Sequence, residues 1–307
     1  MGSTASHLRH REGMRNARDS SRGAPFRLPG TRARPRRLAV LVLLVGCFVA
    51  FRAPDAQQGE TGAPDTTDIA EGVSLAGASG EVVPAPARPI RAGEYLKFSV
   101  RYGIISAGYA YLEIPEVRKW RGRPVYTLVA RAESNNFFSA FYRVRNRIES
   151  FWATTGFYSR RFYENRREGG YREQNEIVFD YERGEAVYAK DGQAIPIPPQ
   201  CQDALSSFYY TRTQALPLGG SVIFDYHASH KSQPIEVRVL GRQRIETPAG
   251  AFDCVVIEPI LRAAGIFKNQ GRLVIWLTDD ERRMPVMMKS KVTIGSISVV
   301  LTEARAG

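Results

Sequence analysis

The last thirty or so residues, Gly271 to Leu301, constrain the fold most tightly. They read GRLVIWLTDDERRMPVMMKSKVTIGSISVVL. Leu273 to Thr278 is an apolar run, and Asp279 to Arg283 is a charged turn. Val286, Met288, Val292 and Ile294 follow at even positions, with the polar Lys289, Lys291 and Thr293 at odd ones. That period of two marks a strand with one buried face. Gly295 breaks the run, and Ile297, Val299 and Leu301 start another alternation. Such a three-strand meander buries its apolar face only against more sheet. The chain upstream, to about residue 93, has to supply it.

Charge divides the chain into three parts. Residues 1–37 carry ten Arg against Glu12 and Asp19. Residues 38–92 are slightly acidic, and the remainder is only mildly basic, so the net charge of +12 overstates how basic the folded part is. Arg36 and Arg37 precede fourteen uncharged residues, Leu38 to Phe51, and Arg52 closes the run. This is the length of a signal-peptide core and short of the ~20 residues that a spanning helix needs. Three fates compete: a cleaved signal, an uncleaved anchor, and a lipoprotein acylated at Cys47 within Leu44-Val45-Gly46-Cys47. The reading is therefore a basic region plus signal or anchor over 1–56, a disordered Ala/Gly/Pro linker over 57–92, and one antiparallel β domain over 93–305. The protein is expected in the periplasm or cell envelope, membrane-proximal through its N-terminal segment.

Within the domain, short glycine connections such as Thr154-Thr155-Gly156 and Glu168-Gly169-Gly170 favour antiparallel neighbours. One helix stands out, Asp203 to Thr213, with Asp203 as its N-cap. Leu205, Phe208, Tyr209 and Arg212 give it one apolar stripe. The fold class is all-β and mostly antiparallel: a strongly curved sheet or open β-barrel with one short helix packed across it.

Chemistry-bearing residues are sparse. Cys201 and Cys254 are an exported pair that can form a disulfide; the competing reading is two separate buried thiols. Asp225, His227 and His230 could hold zinc, but His-x-x-His in a strand-to-loop region does not put both rings on one face; solvated loop histidines are the plainer reading. No nucleophile elbow, phosphate loop or dinucleotide glycine pattern occurs, and no catalytic residue or cofactor is assigned. Arg143, Arg145 and Arg147 alternate on one strand face and suit an anionic lipid headgroup or glycan. The plainer reading is a wet outer face with Glu149, Glu164, Glu168, Glu173 and Glu176 pairing locally. Trp276 with Met288 would suit an adaptable apolar lining.

Four stretches carry a family resemblance: GEYLKFSVRYGIISAGYAYLEI at the start, DALSSFYYTR over Asp203 to Arg212, TPAGAFDC over Thr247 to Cys254, and IWLTDDERRMPVMMKSKVTIGSI over Ile275 to Ile297. Together they resemble the exported bacterial domain-of-unknown-function family numbered 3108, over about residues 93–303. The resemblance implies export and a single mostly antiparallel β domain, and it assigns no activity. In outline such sheets are similar to periplasmic lipoprotein carriers, a likeness of fold alone. The expectation is a non-enzymatic envelope protein that binds or carries a hydrophobic or amphiphilic ligand, with the helix near the mouth and with no nucleic-acid partner. The alternatives are a hydrolase using His227 and His230, and an interaction module acting through the arginine face.

Overall fold

A computed structural model describes residues 81–87, 89–261, 272–291 and 296–307. The signal or anchor segment, Cys47, the linker to residue 80, and Val292, Ile294 and Gly295 of the last hairpin lie outside them.

The strands are β1 (Val82–Val83), β2 (Tyr95–Tyr102), β3 (Ile105–Glu113), β4 (Val117–Trp120) and β5 (Arg123–Ser134). A one-turn helix, α1 (Asn136–Ser139), leads to β6 (Arg145–Ala153), β7 (Ser159–Glu168), β8 (Tyr171–Asp180), β9 (Glu185–Tyr188) and β10 (Ala194–Pro196). Helix α2 (Ala204–Arg212) precedes β11 (Leu216–Pro217), β12 (Ser221–Ala228), β13 (Lys231–Thr247) and β14 (Gly250–Leu261). The chain ends in β15 (Leu273–Thr278), β16 (Pro285–Lys291) and β17 (Ser296–Arg305).

Fifteen of these strands form one sheet in the order β10-β9-β8-β7-β6-β5-β3-β2-β17-β16-β15-β14-β13-β12, with β4 beside β5. Neighbours are antiparallel, including β17 with β2, where the two halves of the chain join. The expected curved antiparallel sheet with a helix packed against it is what the chain forms. Its period-two signal is real: in β6 the residues Asn146, Ile148 and Ser150 are buried, while Arg145 and Arg147 are exposed. The sheet's two ends are tied together by the chain between β10 and α2. Gln202 N donates to Asp225 O at 2.9 Å, and His227 N donates to Gln202 O at 2.8 Å. On the other side Ser159 N donates to Cys201 O at 3.1 Å.

Because neighbours run antiparallel, the turns sort to two ends. The β2–β3 tip, the α1 crossing and the β7–β8, β9–β10 and β12–β13 tips share one end, called the rim. The turns at 181–184, 213–220, 248–249 and 279–284 share the other, called the base. Helix α2 belongs to the base. Asp203 reaches Ser150 in the basal half of β6, and Arg212 reaches Glu94, just before β2 begins.

Two expectations need correction. The helix is not amphipathic at a mouth: every residue from Ala204 to Arg212 except Tyr210 is buried. It lies inside the sheet's curve, so its second face meets wall as well. The folded unit also reaches further back than residue 93. Val82 and Val83 pair with Pro217 and Leu216. Leu218 N donates to Glu81 O at 2.8 Å, and Ile90 is buried. Proline makes this strap look like linker, yet its free carbonyls are what the fold uses.

Candidate functional site

Helix α2 floors the interior, and its termini are anchored by buried polar groups. Asp203 Oδ1 accepts from Leu205 N and Ser206 N, both at 2.8 Å, and Ser206 Oγ returns a bond from Asp203 N. This closes a capping box. The other carboxylate oxygen accepts from Ser150 Oγ at 2.6 Å and from Ser159 Oγ. Burial raises the Asp203 pKa, and those hydroxyl and N–H donors oppose the rise. At the far end Arg212 grips Glu94, and its Nη2 also donates to Pro89 O and Arg282 O. Tyr209 packs under that guanidinium, 5.1 Å from ring centre to Arg212, and its buried hydroxyl has no partner among the described residues.

Above this floor, toward the rim, is a cavity of about 50 Å³. Phe208 and Thr211 contribute from α2, Val237 from β13, Ile257 from β14, Ile275 from β15 and Met288 from β16. Period two explains the set: Ile275 faces Met288 across β15–β16, so both point to one side. Tyr226 of β12 also lines it. Burial pushes the Tyr226 phenol upward, and the charges of Asp203 and Glu164 add to the rise.

That Glu164 belongs to an interior polar wall on β6–β8. Phe162, Glu164, Arg166 and Glu168 alternate along one face of β7, and all but Arg166 are buried. Arg166 Nη2 lies 3.1 Å from Glu168 Oε2, its Nε 3.6 Å from Glu164 Oε1 and its Nη1 3.8 Å from Glu173 Oε2. Asn146 Nδ2 donates to Glu168 Oε1 at 2.6 Å. The interior thus holds an apolar cavity on α2 and β12–β16 and a charged wall on β6–β8.

The third feature is the seam where the sheet's ends meet. His227 is fully buried. Its Nε2 lies 2.9 Å from Tyr188 Oη and its Nδ1 lies 2.9 Å from Ser232 Oγ. Burial, with the nearby His230, lowers its pKa to about 4, so the ring is neutral at physiological pH. The His230 ring stacks on Tyr188 at 3.7 Å, and its backbone N–H donates to the same hydroxyl at 2.7 Å.

The sequence-selected residues scatter across this map. Met288 lines the cavity; Trp276, one register step away, faces off it and donates its indole N–H to Gln243 Oε1 at 2.8 Å. Arg143, Arg145 and Arg147 share a face as expected, but it is the outer one, and Arg147 pairs with Glu149 at 2.9 Å. The histidines do not join Asp225 around a metal position: both His227 nitrogens are bonded to hydroxyls, and His230 turns to Asp191 at 4.0 Å. Among the described residues no group of three or more potential ligands could hold a metal ion. Cys201 and Cys254 are buried free thiols. Cys201 sits on the seam and Cys254 on β14, with β12 and β13 between them. Sequence reasoning missed the inward turn of Glu164, Arg166 and Glu168, although their alternation with Phe162 was a signal for it. It also missed Tyr226 and Glu94, which only topology brings to the interior.

Fold and interior together define a class: a mostly antiparallel β protein, tied end to end around a helical floor. The chain belongs to the family described as "Protein of unknown function (DUF3108)", whose model matches residues 97–302. A search of curated proteins finds no match. Among solved structures it is similar to a β-barrel-like DUF1849 protein from Brucella abortus, with 9% identity, 69% of this chain and 96% of that one covered, and a TM-score of 0.45. It is also similar to a protein from Parabacteroides distasonis, provisionally described as a lipoprotein, at 11% identity, with 72% and 99% covered and a TM-score of 0.34. A third is a protein from Bacteroides fragilis with a YmcC-like fold, provisionally described as exported, at 13% identity, with 72% and 100% covered and a TM-score of 0.30.

Proposed function

We propose that the protein is an exported envelope component that binds an amphiphile, whose apolar end enters the cavity above α2. The observation that carries this reading is the cavity itself, which is walled mainly by apolar side chains. At about 50 Å³ it exceeds the room that one water needs, ~10–15 Å³, and falls short of a cavity of ~150 Å³ that holds benzene. It takes the tip of an alkyl chain as it stands. Met288, with its flexible thioether chain, is the lining residue best suited to swing aside for a longer one. The charged wall of Glu164, Arg166 and Glu168 suits the polar part of the same ligand. Export rests on Arg36-Arg37 followed by the apolar run to Phe51.

The test is native mass spectrometry of the protein from an envelope fraction, before and after organic extraction. The expected result is an added mass that extraction removes and that Val237→Phe, which fills the cavity, reduces. A clean protein mass before extraction overturns the reading.

A further inference from the structure

Among the described residues, the rim gathers exposed apolar side chains. Ile104 is 97% exposed and Ile105 53%, at the β2–β3 tip. Phe137 is 68% exposed and Phe141 73%, on the α1 crossing. The two tips are one surface: Asn135 N donates to Ala107 O at 3.0 Å, and Asn135 Nδ2 donates to Ser106 O at 2.7 Å. The β7–β8 tip adjoins them, since Gly169 N donates to Arg143 O at 2.8 Å. Gly169 is required there: at φ 57° a Cβ would stand 2.6 Å from the Tyr142 ring. The Phe137 and Phe141 rings are 5.6 Å apart, edge to face, so they hold one another outward rather than folding into the core.

Cations surround this apolar crest. Arg101, Arg143, Arg145 and Arg167 are exposed, and none of them forms an ion pair among the described residues. Arg172 is exposed on the same tip, where its Nη1 donates to Gly169 O and Tyr171 O, both at 2.8 Å. Among the described residues an exposed acid close by is Glu133, directly across the register from Arg145 and bound to Tyr111 Oη at 2.9 Å.

We propose that this rim docks on a bilayer bearing anionic phospholipid headgroups. Single protruding side chains on narrow tips suit insertion between headgroups, where each leaves water without needing a matching pocket. Free guanidinium groups set around them match phosphate, and the membrane's negative surface potential draws them in. The chemistry is local to the rim and stands whatever the cavity holds. It also gives a role to Arg143 and Arg145, which lie outside the interior and bind nothing there.

The test uses the full chain with Phe137→Trp, and separately Ile104→Trp on the neighbouring tip, so that a folding fault in one leaves the other. Native Trp152 and Trp276 are buried and Trp120 is at the base, so they serve as internal references. In vesicles containing phosphatidylglycerol, the introduced indole is expected to shift its emission to the blue. Lipids brominated near the top of their chains should quench it. Arg143→Glu with Arg145→Glu should weaken that response at least about tenfold, as should high salt. Three results overturn the proposal. One is an indole that stays water-exposed and unquenched while the chain floats with vesicles, or does not float at all. Another is equal quenching in neutral phosphatidylcholine. The third is a blue shift that grows with protein concentration without vesicles, which makes the rim a contact between copies of the chain.

Discussion

Arg212 and Glu94, 118 residues apart, meet at the base in a two-pronged ion pair, with Nη1 to Oε1 at 2.8 Å and Nη2 to Oε2 at 2.6 Å. The guanidinium is fully buried, and the pair joins the helical floor to the first strand of the sheet. Removing one partner of a buried pair leaves the other charge without compensation, at a cost of ~3–5 kcal/mol. Arg212→Met should therefore lower unfolding stability by about that much in guanidinium titrations. Adding Glu94→Gln should restore part of the loss. A single-variant cost below ~1 kcal/mol would show that the pair does not hold the base.

His227 makes stability depend on pH. Its folded pKa of about 4 lies below the ordinary 6.5. The unfolded chain therefore takes up a proton that the fold resists. Stability from this residue is complete above pH 6.5 and is lost as pH falls toward 4, by roughly 3 kcal/mol in all. The groups facing the ring fit this sign. Tyr188 is neutral, with burial pushing its pKa to about 12. Ser232 is uncharged, Phe179 packs edge-on, and the Asp191 carboxylate lies nearer to His230. Stability measured from pH 7 to pH 4 should fall more steeply in the wild type than in His227→Gln. Equal slopes would place the acid sensitivity elsewhere.

Cys201 and Cys254 are expected to resist alkylation in the native protein and to react once it is denatured. Both are buried, and burial pushes their thiols upward, Cys254 to about 12. The reactive thiolate is therefore scarce in the folded state. Peptide mass mapping after iodoacetamide treatment distinguishes this from a 201–254 bridge, which would leave neither labelled even after unfolding without reductant.

Much of this architecture was legible in the chain because its determinants are local. The capped start of α2 is written in Asp203 and Ser206, three residues apart, and the β6–β8 hairpins in short glycine turns. The closure of the sheet was not legible. It depends on the backbone of Cys201 and Gln202 reaching β7 on one side and β12 on the other, and backbone groups carry no residue-specific signal. The interior was half-legible for a related reason. Period two showed that Arg143, Arg145 and Arg147 share a face but could not say which face is concave. Glu164 and Glu168 looked like solvated partners of those arginines, and the curvature instead turns them inward.

The strap over residues 81–91 was hidden most completely, and Arg283 shows how it is held. This guanidinium is buried, and its Nη2 donates to Pro84 O at 2.6 Å. Burial lowers its pKa, against the pull of Asp279, Asp280 and Glu281. Its backbone sits at φ 46°, in the left-handed region that costs a non-glycine residue energy. The geometry thus brings a costly charge and a costly backbone together to hold a proline carbonyl. Arg212 does the same for Pro89 at 3.2 Å, and Glu281 Oε2 accepts from Ala87 N at 3.0 Å. Arg283→Met keeps the apolar stem and removes the donor, so it should free the strap while the sheet stays folded, at a cost of about 1–3 kcal/mol. Hydrogen exchange should then rise for Val83 and Ala87 and stay unchanged for β6 and β14. Exchange that rises uniformly across the domain would instead make Arg283 a support of the whole core, and unchanged exchange would show that the β1–β11 pairing holds the strap without it.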